Sequence, residues 1–183
     1  MKKISLTVLS LMIVMSFAFA QKKEKSKPAT FKWYTFDEAI ELNKKVPKKV
    51  FVDVYTDWCG WCKKMEATTF SDSIIRNYMM QNFYPVRLNA EGKDTVFFNG
   101  SYYVNPSPTS PRSTHQLAVA LLQGRMSYPS IVVLNEKMEI LNSMMGYKTA
   151  SEMETILHFF AENAYSKTTF AKYLETFKGK VAQ

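Results

Sequence analysis

Apolar residues change their period along the chain, and the changes mark the elements. Phe36, Ala39, Ile40 and Val46 follow a helical spacing. Thr35 precedes them, Glu38 stands three residues on as in a capping box, and Pro47 closes the segment. Lys49 to Thr56 (KVFVDVYT) is β-branched and aromatic almost throughout, which predicts a strand covered on both faces, with Asp53 as its one carboxylate. A helix is expected from Cys59 toward Phe70, and a second one, capped by Ser71 or Ser73, to about Asn82. Tyr84 to Asn89 reads as the next strand. Residues 91–112 carry turn formers and Pro106, Pro108 and Pro111, and read as a long surface excursion whose aromatics, Phe97, Phe98, Tyr102 and Tyr103, are expected to pack it onto the core rather than form a recognition surface.

The second half continues the alternation. Ser113-Thr114-His115-Gln116 starts a helix that runs through Gln123 and is closed by Gly124. Ser130 to Leu134 and Met138 to Met145 are strands joined by the turn Asn135-Glu136-Lys137, which forces them antiparallel. Ser151 with Glu154 marks a helix to about Tyr165, and Thr169 to Phe177 a last one. Strands alternating with helices and ending in a hairpin give an α/β fold, with a mixed central sheet flanked by helices on both faces.

The N-terminus has a different character. Met1-Lys2-Lys3, an apolar stretch from Ile4 to Phe19, and Ala18-Phe19-Ala20 form the three-part pattern of a signal peptide over residues 1–20. Residues 21–30 are charged and contain Pro28, as a linker would. The domain is expected over 31–183, in the periplasm if the exporting cell is bacterial, with no stable membrane insertion once the signal is removed. This division changes how charge is interpreted. The chain has 183 residues and a net charge of +8, but only +3 belongs to residues 31–183. A nearly balanced body gives no basis for nucleic-acid binding. A hydrophobic content of 46% excludes a disordered chain, and two cysteines exclude a disulfide-stapled miniprotein.

Those two cysteines carry the candidate chemistry. Cys59-Gly60-Trp61-Cys62 follows the predicted buried strand and opens a helix. A helix N-terminus carries partial positive charge and favours a thiolate at Cys59, which is expected to be the exposed thiol. Cys62 lies one turn further on, so the two sulfurs can close a small ring that opens by thiol–disulfide exchange. Gly60 leaves room for a partner. Two other readings use the same atoms. A purely structural disulfide would close a loop too short to remove much unfolded-state entropy. A zinc site would need further ligands, and only His115 and His158 offer nitrogen, neither at motif spacing.

The segment VDVYTDWCGWCKKM resembles the active-site segment of the thioredoxin family, with its W-C-x-x-C-K after a strand. Further marks agree in order: Asp53 six residues before Cys59, Arg87 where thioredoxin has a lysine, Tyr128-Pro129 at the cis-proline position, and Gly146 at the end of the last strand. The likeness covers roughly residues 31–165 and departs from a minimal thioredoxin in its Gly60-Trp61 dipeptide and in an insertion at about 91–124. It implies a thioredoxin fold and an exported thiol–disulfide oxidoreductase that reduces or isomerises client disulfides. The implied catalytic residues are Cys59, Cys62 and Asp53. Those expected at the client are Trp58, Gly60, Trp61, Tyr128 and Pro129. The implied redox group is the Cys59–Cys62 dithiol itself, with no separate cofactor and no metal. The implied partners are client proteins with thiols or disulfides and a membrane electron donor. A redox-inert client-binding or chaperone module and a metal-binding C-x-x-C protein are the alternative functions.

Overall fold

The computed structural model describes residues 30–181; the signal peptide expected over residues 1–20 and all but the last residue of the linker expected over 21–30 lie outside the described residues. Helix α1 (Phe36–Lys45) starts with the expected reciprocal cap between Thr35 and Glu38. Strand β1 (Lys49–Tyr55) leads to α2 (Gly60–Thr68) and α3 (Ser73–Asn82), and the chain returns in β2 (Phe83–Asn89). Asp72, not Ser71 or Ser73, caps α3, because its carboxylate takes the backbone N–H of both Ile74 and Ile75. A short hairpin follows, β3 (Val96–Phe98) and β4 (Ser101–Tyr103), then α4 (Gln116–Leu121), β5 (Ser130–Leu134), β6 (Ile140–Met145), α5 (Ala150–Ala161) and α6 (Phe170–Thr176).

The main sheet is mixed and has the order β2-β1-β5-β6. The β1–β2 pair is parallel, while β1–β5 and β5–β6 are antiparallel. Tyr34 extends the β2 edge by a parallel bridge to Val86. Strand alternation divides the core in two. Val50, Val52 and Val54 of β1 join Val86, Val132 and Leu134 under α1, α4 and the hairpin. Phe51 joins Ile131 and Val133 under α2, α3 and α5, with Met65, Phe70, Ile75, Met79 and Met153 filling that layer. Asp53 shares the strand parity of Phe51.

Three further expectations need correction. Residues 91–112 contain a hairpin that the surface reading lacked, and the expected packing of its aromatics holds for Phe98 but not for the exposed Phe97 and Tyr102. Val96, Phe98 and Asn105 are buried, and Phe98 packs edge-on against Phe36 at 5.0 Å. The hairpin turns at Asn99-Gly100, where both residues take positive φ. Strand β6 starts at Ile140 rather than Met138, because Met138 sits at φ 65° within the turn. Helix α5 is capped by Thr149 with Glu152, not by Ser151 with Glu154. Glu154 is buried and accepts the backbone N–H of Lys180 and Val181, so its carboxylate is used to fasten the C-terminal segment.

Candidate active site

Cys59 is the N-cap of α2, and the two cysteines are joined as a disulfide with Cα atoms 5.3 Å apart. The cap is made by sulfur: Cys62 N–H donates to Cys59 Sγ at 3.1 Å. In the reduced state the same N–H and the helix dipole would favour a thiolate at that sulfur. Cys59 is nevertheless not exposed. It is 4% accessible and Cys62 2%, because the Cys59 sulfur turns back onto the helix and is bonded to its partner. Gly60 is open: a Cβ placed there would meet nothing within 4 Å.

Asp53 lies in the middle of the sheet, paired in register with Arg87 on β2 and Ile131 on β5. It is 1% accessible. Burial pushes its carboxyl up to about 7; the Arg87 guanidinium opposes this and the Glu66 carboxylate adds to it. Arg87 Nε lies 3.5 Å from Asp53 Oδ2, an ion-pair distance, yet among the described residues it makes no hydrogen bond, and Asp53 Oδ1 has no hydrogen-bond partner either. Arg87 Nη1 lies 3.4 Å from Glu66 Oε2, and the guanidinium stacks over Tyr55 at 4.3 Å. The group is therefore a buried acid, a cation and a second acid. Glu66, four residues after Cys62, was not anticipated from sequence; the β1–β2 register sets Arg87 beside Asp53, and α2 brings Glu66 to the same guanidinium.

Two indoles border the disulfide, and both are more than half accessible, Trp58 at 56% and Trp61 at 57%. Trp58 donates its Nε1–H to Glu91 at 2.8 Å, meets Tyr128 edge-on at 6.0 Å, and carries the Arg112 guanidinium 5.5 Å from its ring centre. Glu91 and Arg112 belong to the two ends of the excursion, so that segment closes on the residue before Cys59. Trp61 lies against Tyr147 at 5.6 Å, with Lys64 Nζ over both rings at 4.8 and 5.3 Å. The Tyr128-Pro129 bond is cis, and the Pro129 carbonyl accepts from Gly146 N–H at 2.8 Å.

The histidines are structural. His115 caps α4: its Nδ1 accepts Leu117 N–H at 3.1 Å, which leaves Nε2–H to donate to the Asp94 carbonyl at 2.8 Å. His158 is stacked on Tyr78 at 3.9 Å and bonded to Glu162 at 2.7 Å. Among the described residues no three His, Cys, Asp or Glu side chains form a group suited to a metal ion. No described helix is long and apolar enough to cross a membrane.

Comparison with known proteins agrees with this geometry. A sequence model described as a thioredoxin-like domain matches residues 36–161. The thiol:disulfide interchange protein DsbD of Pectobacterium atrosepticum is 46% identical over 35 residues, which cover 19% of this chain and 6% of that protein. An uncharacterized protein of Archaeoglobus fulgidus is 29% identical over 63 residues, 34% of this chain and 50% of that one. The chain thus spans half or less of the length of these curated relatives. Among solved structures, a thioredoxin-fold protein from Helicobacter pylori superposes with a TM-score of 0.56 at 15% identity, covering 70% of this chain and 83% of its own. A thioredoxin from Thermus thermophilus does so at 0.52 and 17% identity, over 71% and 86%. At these identities the structural matches establish a shared thioredoxin fold.

Proposed function

Since this chain belongs to the thioredoxin-like domain family and carries a cysteine pair with the spacing of a redox dithiol, we propose that it is an exported thiol–disulfide oxidoreductase that reduces, or isomerises, disulfides of client proteins. The observation that carries this reading is the sulfur cap. The Cys59 sulfur sits at the helix N-terminus and accepts the Cys62 N–H, an environment that would favour a thiolate once the disulfide is reduced.

In the reducing direction, the Cys59 thiolate attacks one client sulfur. The client S–S bond breaks and its second sulfur leaves as a thiolate. Cys62 then gives up its proton and attacks the Cys59 sulfur, which releases the first client sulfur. The client gains two electrons and the chain ends as the Cys59–Cys62 disulfide. Asp53 is the proposed acceptor of the Cys62 proton. With a pKa of about 7 it can take and return a proton near neutrality, as a general base requires. Trp58, Gly60, Trp61, Tyr128 and Pro129 form the surface proposed to receive an extended client segment. A membrane dithiol donor is proposed to restore the reduced form. The local likeness to DsbD, a protein named for thiol:disulfide interchange, is consistent with that chemistry.

The test is trapping. With a disulfide-containing client, the Cys62→Ser variant should accumulate a mixed disulfide through Cys59, and Cys59→Ser should not. Reduced wild-type protein should accelerate insulin reduction by dithiothreitol. A wild type that leaves insulin reduction unchanged, with no adduct on either variant, would reject the oxidoreductase reading in favour of a redox-inert binding module.

A further inference from the structure

The charges around the disulfide are divided unevenly between those with partners and those without. Two exposed or half-buried carboxylates border it, and both are engaged. Asp57 accepts from Asn89 Nδ2 at 3.0 Å, and Glu91 accepts from the Trp58 indole. Four cations belong to the segments around it: Lys63 and Lys64, directly after Cys62 on α2, Lys148, two residues after Gly146, and Arg112, over the Trp58 ring. None of the four forms an ion pair among the described residues. Lys148 donates to the Met145 carbonyl at 2.8 Å. Lys64 and Arg112 instead lie over aromatic faces, one on each indole.

A cation over a ring is held by the quadrupole of the ring, which leaves its N–H groups free for another acceptor. Arg112 is the more constrained of the two. Its backbone sits at φ 60°, in the left-handed region that non-glycine residues seldom adopt. Its ring, Trp58, is fixed from three directions: by Glu91 at the indole nitrogen, by Tyr128 at the edge, and by the chain itself, since Cys59 is the next residue. Charge and indole are thus held together beside the reacting sulfur and next to the cis-proline loop.

We propose that Arg112 is a specificity residue that selects client segments bearing a carboxylate close to the disulfide to be exchanged. The inference rests on the reading that the chain exchanges disulfides with polypeptide clients, and it names which of them are favoured. A carboxylate beside the client cysteine would receive the free edge of the guanidinium, while its aliphatic part and neighbouring residues cover Trp58. A lysine there would face the Arg112 guanidinium instead, while the Asp57 and Glu91 carboxylates are oriented toward Asn89 and the Trp58 indole. The low net charge of residues 31–183 makes this a local preference rather than a general affinity for polyanions.

The experiment compares three disulfide-bonded peptides, identical except for Glu, Gln or Lys flanking the cysteines, with hydroxyethyl disulfide as an uncharged reference. Each is reduced by the full, pre-reduced chain at low and at high salt. The Glu peptide should react roughly threefold faster than Gln and about tenfold faster than Lys at low salt, with the spread shrinking at high salt. In Arg112→Gln the Glu-to-Lys ratio should fall by about threefold, and in Arg112→Glu it should fall further. The ratio is internal to each variant, so a partly folded preparation lowers both rates without moving it. Equal rates for the three peptides in the wild type, or a ratio unchanged in both variants, would overturn the proposal while leaving the redox reading intact. If neither the peptides nor hydroxyethyl disulfide is reduced, the redox reading fails and this inference with it.

Discussion

Replacing Asp53 by Asn should stabilise the protein, and the gain should depend on pH in a way set by one buried carboxyl. Asp53 has a pKa near 3.8 when exposed and about 7 in the fold, with burial as the main cause. The folded chain therefore binds this proton more tightly than the unfolded chain, by about 4 kcal/mol if the whole difference is realised. Below pH ~4 both states hold the proton and the group costs nothing. As pH rises toward ~7 the unfolded chain releases the proton while the folded chain keeps it, so stability falls by up to about 1.4 kcal/mol per pH unit and levels off above ~7. Asn is neutral throughout and removes that slope. Arg87 keeps its pairing with Glu66, so the substitution does not leave the cation alone. Urea unfolding of the oxidised protein, wild type against Asp53→Asn, should give little difference near pH ~4 and an Asn variant more stable by roughly 2–4 kcal/mol near pH ~8. A pH-independent difference, or an Asn variant that is less stable at the alkaline end, would show that Asp53 is ionised and satisfied in the fold and would refute the reasoning.

Arg87 and Glu66 act on Asp53 in opposite senses, so an NMR titration of the Asp53 carboxyl should move upward in Arg87→Met and downward in Glu66→Gln. Phe98→Ala should cost at least about 3 kcal/mol by removing a buried ring from contact with Phe36, whereas Phe97→Ala, at a 51% accessible position, should stay within about 0.5 kcal/mol; chemical denaturation compares the two. Glu154→Gln should weaken the bonds to the backbone of Lys180 and Val181 by about 1–2 kcal/mol, and hydrogen exchange at those two amides should accelerate.

Local chemistry made much of the fold readable. The Thr35–Glu38 cap, the apolar run of β1 and the turn at Asn135-Glu136-Lys137 each depend on neighbours in sequence, and each occurs where expected. The candidate site was legible where one residue type stands alone: two cysteines at a strand-to-helix junction, and a single carboxylate in an apolar strand. Sequence alone failed where two residues matched the same pattern and packing chose between them. Thr149…Glu152 and Ser151…Glu154 both fit a capping box, but Glu154 faces the C-terminal segment and is consumed there. Ser71, Asp72 and Ser73 could each cap α3, and the carboxylate that reaches two N–H groups does so. Within the excursion, packing of an aromatic onto the core was legible but the hairpin that delivers it was not. Its prolines lie after the hairpin, while Asn99-Gly100 between Val96-Phe97-Phe98 and Ser101-Tyr102-Tyr103 is a two-residue hairpin signal in its own right.

The excursion also shows why a site is larger than its motif. Nothing near Cys59 in sequence announces Glu91 or Arg112. They meet Trp58 because the chain is fastened at both ends of the excursion. His115 N–H donates to the Ala90 carbonyl at 2.7 Å, and the buried Asn105 bonds to the Ser113 carbonyl at 2.8 Å and the Ser113 hydroxyl at 2.6 Å. Those bonds close a loop of some twenty residues onto the rim of the dithiol, with Val96 and Phe98 anchoring it in the core below. The loop is thus built in two layers. Its buried residues hold the fold, and its ends supply the hydrogen bond and the charge that fix Trp58. Substituting Arg112 should therefore change which clients react while leaving the urea midpoint within the small range of surface changes, and substituting Phe98 should do the reverse. If Arg112→Gln proved as destabilising as Phe98→Ala, the two layers would be one, and the excursion would serve the fold alone.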